Sequence, residues 1–160
     1  MNYQRTNRSA LHALGSATLL ALGSVCAPAS AQPSAAEPAI ARNANDASLA
    51  WGACPEFLPT GCALTVLHGD PSKPNADVFF RVPAGSTLPV HWHTSAERMV
   101  LIAGELRVSF EGQEPVVLKA GTYAYGPARR PHGGACVSTT DCVLFIAFEA
   151  PVDAVAGRGD

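Results

Sequence analysis

Short apolar runs separated by turn residues occupy the sequence from about residue 51 onward. Nine runs rich in Val, Leu and Phe follow one another: CALTVLHG, DVFFRVP, STLPVHWH, ERMVLIAG, ELRVSFEG, EPVVLKAG, TYAYGP, PHGGACVS and CVLFIAFEA. Such runs are typical of strands in a barrel or sandwich, and no stretch there has the sustained i, i+3, i+4 repeat of a helix. The whole sequence has thirteen prolines and fourteen glycines, which are typical of the turns between such runs. The sequence therefore predicts an all-β fold, and 160 residues leave room for one such domain.

The last run, CVLFIAFEA, is apolar at successive positions. A strand of this kind is buried on both faces. It is predicted to be either a central strand or one covered by a second subunit, so a homodimer is one expectation.

The first 31 residues have the parts of a secretory signal peptide. Arg5 and Arg8 give a positive start, residues 10–25 are mainly Ala, Leu and Gly, and APASAQ offers small residues for cleavage before Gln32. We therefore expect residues 1–31 to be removed and the remaining protein to be periplasmic or secreted, with no membrane attachment after cleavage.

Two alternatives to a cleaved signal are less well supported. A membrane anchor needs about 20 apolar residues, and this stretch is shorter and is interrupted by Gly and Ser. A lipoprotein site at Cys26 would require a small residue where bulky Val25 stands.

Residues 32–50 are mostly Ala, Ser, Pro and Asn with few large apolar side chains. Such a segment cannot bury enough surface to offset its ordering entropy. We expect a flexible N-terminal arm over residues 32–50, followed by a single domain over residues 51–155.

Four cysteines remain after the signal, an even number that indicates disulfides in an oxidising compartment. They allow three pairings. We expect the two local ones, Cys54 with Cys62 and Cys136 with Cys142, because each closes a short loop. No CxxC spacing favours a metal or redox role for these thiols.

The charge balance narrows the class of partner. Two arginines and no acidic residue leave with the signal, so the formal net charge changes from −2 to −4. The only basic cluster is ARRPH, which argues against nucleic acid or an anionic membrane as partner. A small-molecule ligand is the expected partner.

Histidines mark the candidate site. On a β-strand His91 and His93 of HWHTSAER point to one face, while Trp92 points to the other. A turn at TSA would return the carboxylate of Glu97 beside them, and His132 follows the rigid turn GPARRP. Imidazoles with a carboxylate suit a divalent transition metal. The alternative is that these histidines make only ordinary hydrogen bonds. It does not explain the regular frame of glycines and prolines around them.

That frame resembles the cupin family. GSTLPVHWHTSAERMVLIAG is similar to the first cupin motif, with the defining residues at Gly85, His91, His93, Glu97 and Gly104. GTYAYGPARRPH resembles the second motif, with its residues at Gly121, Pro127 and His132. The second motif departs from the family where Asp, Gly and Asn are frequent, at Thr122, Arg129 and Cys136.

The resemblance covers about residues 60–150 and implies a small single-domain cupin, a jelly-roll barrel with one metal ion in its mouth. Carried over by position, the family's ligands are His91, His93, Glu97 and His132. The ion would be Fe, Mn, Ni, Cu or Zn. We expect a metalloenzyme, oxygenase-like, acting on a small organic acid or phenolic compound. The alternative is a non-catalytic, metal-dependent small-molecule binding or sensing module, because a fold does not select an activity.

Three further residues are candidates for the substrate pocket. Tyr123 and Tyr125 share a strand face near the second motif, and Arg81 would hold a carboxylate if it pointed inward. Buried aromatic residues and a solvated edge charge are the alternatives. Met99 stands where cupin lyases that cleave dimethylsulfoniopropionate tend to carry Tyr, which disfavours that activity.

Overall fold

The computed structural model describes residues 37–159. The predicted signal peptide and the first residues of the predicted arm lie outside this range. Eleven strands and no helix occur within it. The strands are β1 Gly52–Ala53, β2 Ala63–His68, β3 Ala76–Val82, β4 Thr87–Trp92, β5 Glu97–Ala103, β6 Glu105–Phe110, β7 Val116–Lys119, β8 Tyr123–Gly126, β9 His132–Cys136, β10 Cys142–Phe148 and β11 Val155–Ala156.

The strands form two antiparallel sheets. One has six strands in the order β1-β2-β3-β10-β5-β8, and the other has five in the order β11-β4-β9-β6-β7. Consecutive strands such as β4, β5 and β6 alternate between the sheets, which is the jelly-roll arrangement. The nine predicted runs correspond to β2 through β10, so the prediction of an all-β jelly roll is confirmed. The two-residue strands β1 and β11 were not predicted, because two residues are too few to show an alternating pattern.

Gly104 lets the chain turn from β5 into β6. Its φ is +80°, in the left-handed region that favours glycine, and a Cβ there would lie 2.9 Å from the carbonyl oxygen of Asp141 and from Cα of Cys142. Both the backbone angle and the close approach of the neighbouring strand therefore exclude a side chain.

Strand β10 lies in the middle of the six-stranded sheet, between β3 and β5. Its inward residues Leu144, Ile146 and Phe148 belong to the hydrophobic core between the sheets. On the opposite face Val143 is only 7% exposed. The central position accounts for the apolar character of this run, as one of the two interpretations predicted.

Two disulfides close local loops. Cys54 is bonded to Cys62 and Cys136 to Cys142, the two short-loop pairings that were expected. Cys62, Cys136 and Cys142 are buried in the core. Over the described range, no helix is long and apolar enough to cross a membrane.

Candidate functional site

A β-bulge brings two of the predicted ligands face to face. Strand β4 has two residues, Pro89 and Val90, where β9 has only Gly133, so the register shifts and His91 pairs directly with His132. Proline has no N–H to give to the ladder and is well suited to a bulge. The centroids of the two imidazole rings are 4.4 Å apart.

The third histidine joins this pair on the inner face. The centroid of His93 lies 5.0 Å from that of His91 and 5.1 Å from that of His132. One ring nitrogen from each residue lies within 4.8 Å of the others, close enough for the three to hold one metal ion. Trp92 alternates away from this inner face, as the strand period requires.

Each imidazole donates its Nδ1–H to a backbone carbonyl oxygen. The acceptors are Pro89 for His91 at 2.7 Å, Asp153 for His93, and Arg130 for His132 at 3.0 Å. A carbonyl can only accept, so the proton sits on Nδ1 and the lone pair on Nε2. Hydrogen bonds of this kind orient histidines that bind metals.

Aromatic rings surround the cluster and separate it from water. The pairs of ring centroids are Phe57 and His91 at 6.0 Å, Phe148 and His93 at 5.8 Å, and Phe110 and His132 at 5.2 Å. Burial disfavours the imidazolium form and lowers the pKa of all three histidines, to about 4 for His93 and His132. The rings are therefore neutral at neutral pH, which is the form that binds metals.

Glu97 begins β5 and lies beside two of the histidines. Its Oε1 is 3.4 Å from Nε2 of His93, and its Oε2 is 3.5 Å from Nε2 of His132. Burial, with only 3% of the residue exposed, and to a lesser degree the nearby Asp153 carboxylate raise the pKa of Glu97 to about 8. At pH 7 these contacts are therefore between a neutral carboxyl group and neutral imidazoles, and they are not ion pairs. A bound cation would favour the ionised carboxylate.

The donor set fits a divalent transition metal. Three oriented Nε2 lone pairs and a buried carboxylate that lacks a cationic partner are the nitrogen and oxygen ligands that such ions take. The four residues are those expected from the two sequence motifs.

Two further residues shape the site and were not found from the sequence. A Cβ on the buried Gly126 would lie 3.1 Å from Oε2 of Glu97 and 3.4 Å from Cε of Met99, so this glycine leaves room for the carboxylate. Asp153 lies in the tail after β10, and its Oδ1 also accepts a hydrogen bond from the Thr94 N–H at 2.9 Å. No motif marks either residue, because their roles depend on contacts made across the fold.

The site opens into a cavity of about 260 Å³ between the two sheets. Part of its wall is formed by Cys54, Pro55 and Leu58, from the segment closed by the Cys54–Cys62 disulfide, and by the preceding Ala53. Residues 152–154 of the C-terminal tail form another part.

The structure does not bring the three candidate pocket residues to this cavity. Tyr123 and Tyr125 are 59% and 49% exposed, because Ala124 between them takes the inward position on β8. Arg81 lies on the outer face of β3, with its guanidinium carbon 3.9 Å from the ring centroid of Trp51. In each case the alternation of strand side chains places the group outside the barrel.

The comparisons with known proteins identify the domain. Residues 78–148 match the family model described as "Cupin domain". These residues form a cupin domain. No curated protein matches the chain.

Solved structures with the same fold include several enzymes. The DMSP lyase DddQ from Ruegeria pomeroyi DSS-3 has 21% sequence identity and a TM-score of 0.60, over 70% of this chain and 62% of that one. The polyketide cyclase RemF from Streptomyces resistomycificus has 14% identity and a TM-score of 0.59, over 73% and 85%. KdgF from Halomonas sp. has 18% identity and a TM-score of 0.52, over 62% and 87%. The matched region thus spans less than two thirds of the DMSP lyase, and identities this low show the shared fold alone.

The three departures from the second cupin motif have local explanations. Arg129 has φ +61°, a left-handed conformation that glycine adopts without strain, which accounts for the glycine that is usual at this position. The N–H of Arg129 donates a hydrogen bond to the His93 carbonyl at 2.7 Å. Thr122 accepts a hydrogen bond from the Lys119 N–H at its Oγ1, at 3.2 Å. Cys136 is held in a disulfide. None of these three side chains lines the cavity.

Proposed function

We propose that this cupin domain is a metalloenzyme, oxygenase-like, which acts on a small organic acid or phenolic compound. His91, His93, Glu97 and His132 would hold one divalent transition metal ion, with Fe, Mn, Ni, Cu and Zn as the candidates. The ion would supply Lewis acidity and open coordination positions for a substrate oxygen or for O₂.

The observation that carries this proposal is the hydrogen-bonding pattern that the three imidazoles share. Each Nδ1–H is engaged by a backbone carbonyl, so the three Nε2 lone pairs are free for one ion without rearrangement of the strands. Glu97 would complete the ligand set, and the apolar walls would exclude bulk water from the reacting atoms.

Export is part of the proposal. We propose that residues 1–31 direct the chain to the periplasm or the outside of the cell and are removed there. The two disulfides support this, because such bonds persist mainly in oxidising compartments. N-terminal sequencing of protein from the native periplasm would test it, with Gln32 as the expected first residue.

A homodimer is also proposed. Tyr123, Val100 and Phe145 pair across three strands and therefore share the outer face of the six-stranded sheet, where each is at least partly exposed. A second copy could cover this row. Light scattering of the purified protein should give the mass of two chains, and substitution of Phe145 by Lys should give the mass of one.

Metal analysis of protein purified from the native periplasm is the most direct test. The expected result is close to one transition metal ion per chain, and the triple variant His91→Ala, His93→Ala, His132→Ala should lose it. Unchanged metal content in that variant would refute the site. Protein loaded in turn with each candidate ion should then consume O₂ or a candidate substrate with at least one of them. Inactivity across the whole panel would refute the enzyme proposal.

A binding or sensing module without turnover is the second candidate. Apart from the proposed ligands, the cavity wall has a single ionisable side chain, that of Asp153. This leaves few groups for acid or base catalysis. Retention of an unchanged ligand through purification, seen by mass spectrometry, would favour this candidate.

A further inference from the structure

The walls of the cavity are apolar except around the histidine cluster. Only five of the lining residues have ionisable side chains, and these are the three histidines, Glu97 and Asp153. The rest of the wall is built mainly from aliphatic and aromatic residues of both sheets, among them Leu64, Phe80, Leu88, Leu106, Leu144 and Ile146. A ligand in this cavity therefore has one polar end and an otherwise apolar surround.

No lysine or arginine lines the cavity. The arginines nearest in sequence to the site motifs are engaged outside it. Arg98 pairs with Glu149 at 2.6 Å, and Arg130 donates to the carbonyl of Glu111 at 2.7 Å. Arg129 is exposed, with its guanidinium carbon 6.0 Å from the ring centroid of Trp92. A ligand carboxylate would find no cationic side chain in the cavity.

The charges at the polar end also disfavour an anion. The titratable side chains at the polar end are three histidines and two carboxylic acids, so the protein provides no fixed positive charge there. Burial of a carboxylate without a compensating charge is costly, because the ion loses its hydration. An organic acid is therefore expected to bind poorly, unlike a neutral molecule of the same shape.

The polar end can accept hydrogen bonds or bind a metal ion, since its Nδ1–H groups are already used by backbone carbonyls. A hydroxyl group suits the site with or without a metal ion, because it can donate a hydrogen bond to a free Nε2 and can offer its oxygen to an ion. We propose that the cavity takes an uncharged, mainly apolar compound with a phenolic hydroxyl, in preference to an organic acid. This inference rests on the proposed function and selects between its two substrate classes.

The size of the cavity is consistent with one or two fused rings. An apolar cavity of about 150 Å³ is sufficient for benzene, and the cavity here has a volume of about 260 Å³. Two fused rings with one hydroxyl at the edge would contact both sheets while the hydroxyl reaches the histidines.

The test compares two ligands of the same shape, 2-naphthol and 2-naphthoate, by isothermal titration of the metal-loaded full chain at pH 7. We expect 2-naphthol to bind at least tenfold more tightly. Equal or tighter binding of 2-naphthoate, or no binding of either compound, would overturn the inference. Metal content is measured on the same samples, so its absence would refute the proposed function separately from the ligand preference.

A variant locates the binding to this cavity. Val108 lines the cavity on β6, and its replacement in Val108→Phe should weaken 2-naphthol binding at least tenfold and leave the metal content unchanged. Val117→Phe is the matched control, because Val117 is 45% exposed on β7 and lies outside the cavity. Unchanged binding in folded Val108→Phe would contradict the assignment. If that variant does not fold, the comparison of the two ligands on the unmodified chain still decides.

Discussion

The backbone carbonyl of Asp153 accepts a hydrogen bond from Nδ1 of His93, across sixty residues of sequence. The same tail then adds β11 to the edge of β4, where Val155 pairs with Trp92 and Ala156 with His91. The C-terminal segment thus fixes the strand that carries two of the proposed ligands. A segment with no recognisable motif is therefore part of the site.

The first prediction concerns the side chain of Asp153. Asp153→Ala removes the acceptor for the Thr94 N–H and should loosen the tail that orients His93, and metal affinity should fall about tenfold, as is usual when such outer contacts are lost. Competition with a metal-binding dye measures this. Asp153→Asn keeps an acceptor oxygen and should lose threefold or less. Equal losses in both variants would indicate that the charge, and not the anchor, is responsible.

Gly126 supplies the second prediction. Gly126→Ala should displace the Glu97 carboxylate, which a new Cβ would approach to 3.1 Å, and should weaken metal binding about tenfold. Gly52→Ala is the control, since its Cβ would have an ordinary contact of 3.7 Å with the Leu64 carbonyl. Neither glycine has a positive φ, so backbone strain does not confuse the comparison. Equal metal affinity of Gly126→Ala and the unmodified chain would show that the carboxylate accommodates the added methyl group, and would contradict the prediction.

The two disulfides give the third prediction, because their loops are similar in length but only one borders the cavity. Sequence separations of 8 and 6 residues imply that replacement of either pair by Ser lowers the free energy of unfolding by about 2 to 3 kcal/mol. Loss of the Cys54–Cys62 bond should also weaken 2-naphthol binding several-fold, because Cys54, Pro55 and Leu58 line the cavity. Loss of the Cys136–Cys142 bond should not.

Urea unfolding and ligand titration of both double variants measure these effects. Weaker ligand binding in both variants, or in neither, would contradict a specific role for the segment closed by Cys54 and Cys62.

The fold could be predicted from the sequence because each strand carries a local signal. Alternating and continuous apolar runs with turn residues between them mark β2 to β10, and Gly104 has the positive φ expected of a turn. The proximity of His91, His93 and Glu97 followed from local spacing, through the alternation of β4 and the short turn into β5. These two strands lie in different sheets and do not form the hairpin that was expected. His132 reaches the site through the long-range pairing of β9 with β4, so its place followed only from the resemblance to the second cupin motif.

The substrate side of the site could not be predicted in the same way. The inward or outward direction of Tyr123, Tyr125 and Arg81 depends on the register between strands, which the pattern of a single short strand does not fix. For β8, the pairing with β5 places Ala124 opposite Met99 and turns both tyrosines outward. Asp153 orients His93 through its backbone carbonyl, which no residue type reveals.

The last prediction is a pH optimum for the stability of the metal-free protein. The pKa values of His93 and His132 are lowered to about 4 and that of His91 is lowered as well, all chiefly by burial. Between pH 4 and 6.5 the native state therefore binds fewer protons at these residues than the unfolded state, so stability rises with pH. Burial raises the pKa of Glu97 from 4.5 to about 8. Between pH 4.5 and 8 Glu97 therefore binds more protons in the native protein than in the unfolded chain, so its contribution to stability falls as pH rises.

Three histidines outweigh one glutamate below pH 6.5. Above that pH the imidazoles of the unfolded state, with an ordinary pKa of 6.5, lose their remaining protons, so Glu97 becomes the main contributor toward pH 8. Chelator-treated protein should therefore be most stable near pH 6.5 and should lose stability toward pH 8. Urea unfolding at pH 5, 6.5 and 8 measures this. Glu97→Gln, which cannot ionise, should abolish the loss above pH 6.5, and added metal should abolish it in the unmodified chain by binding the ionised carboxylate. A loss above pH 6.5 that persists in Glu97→Gln would assign it to another group.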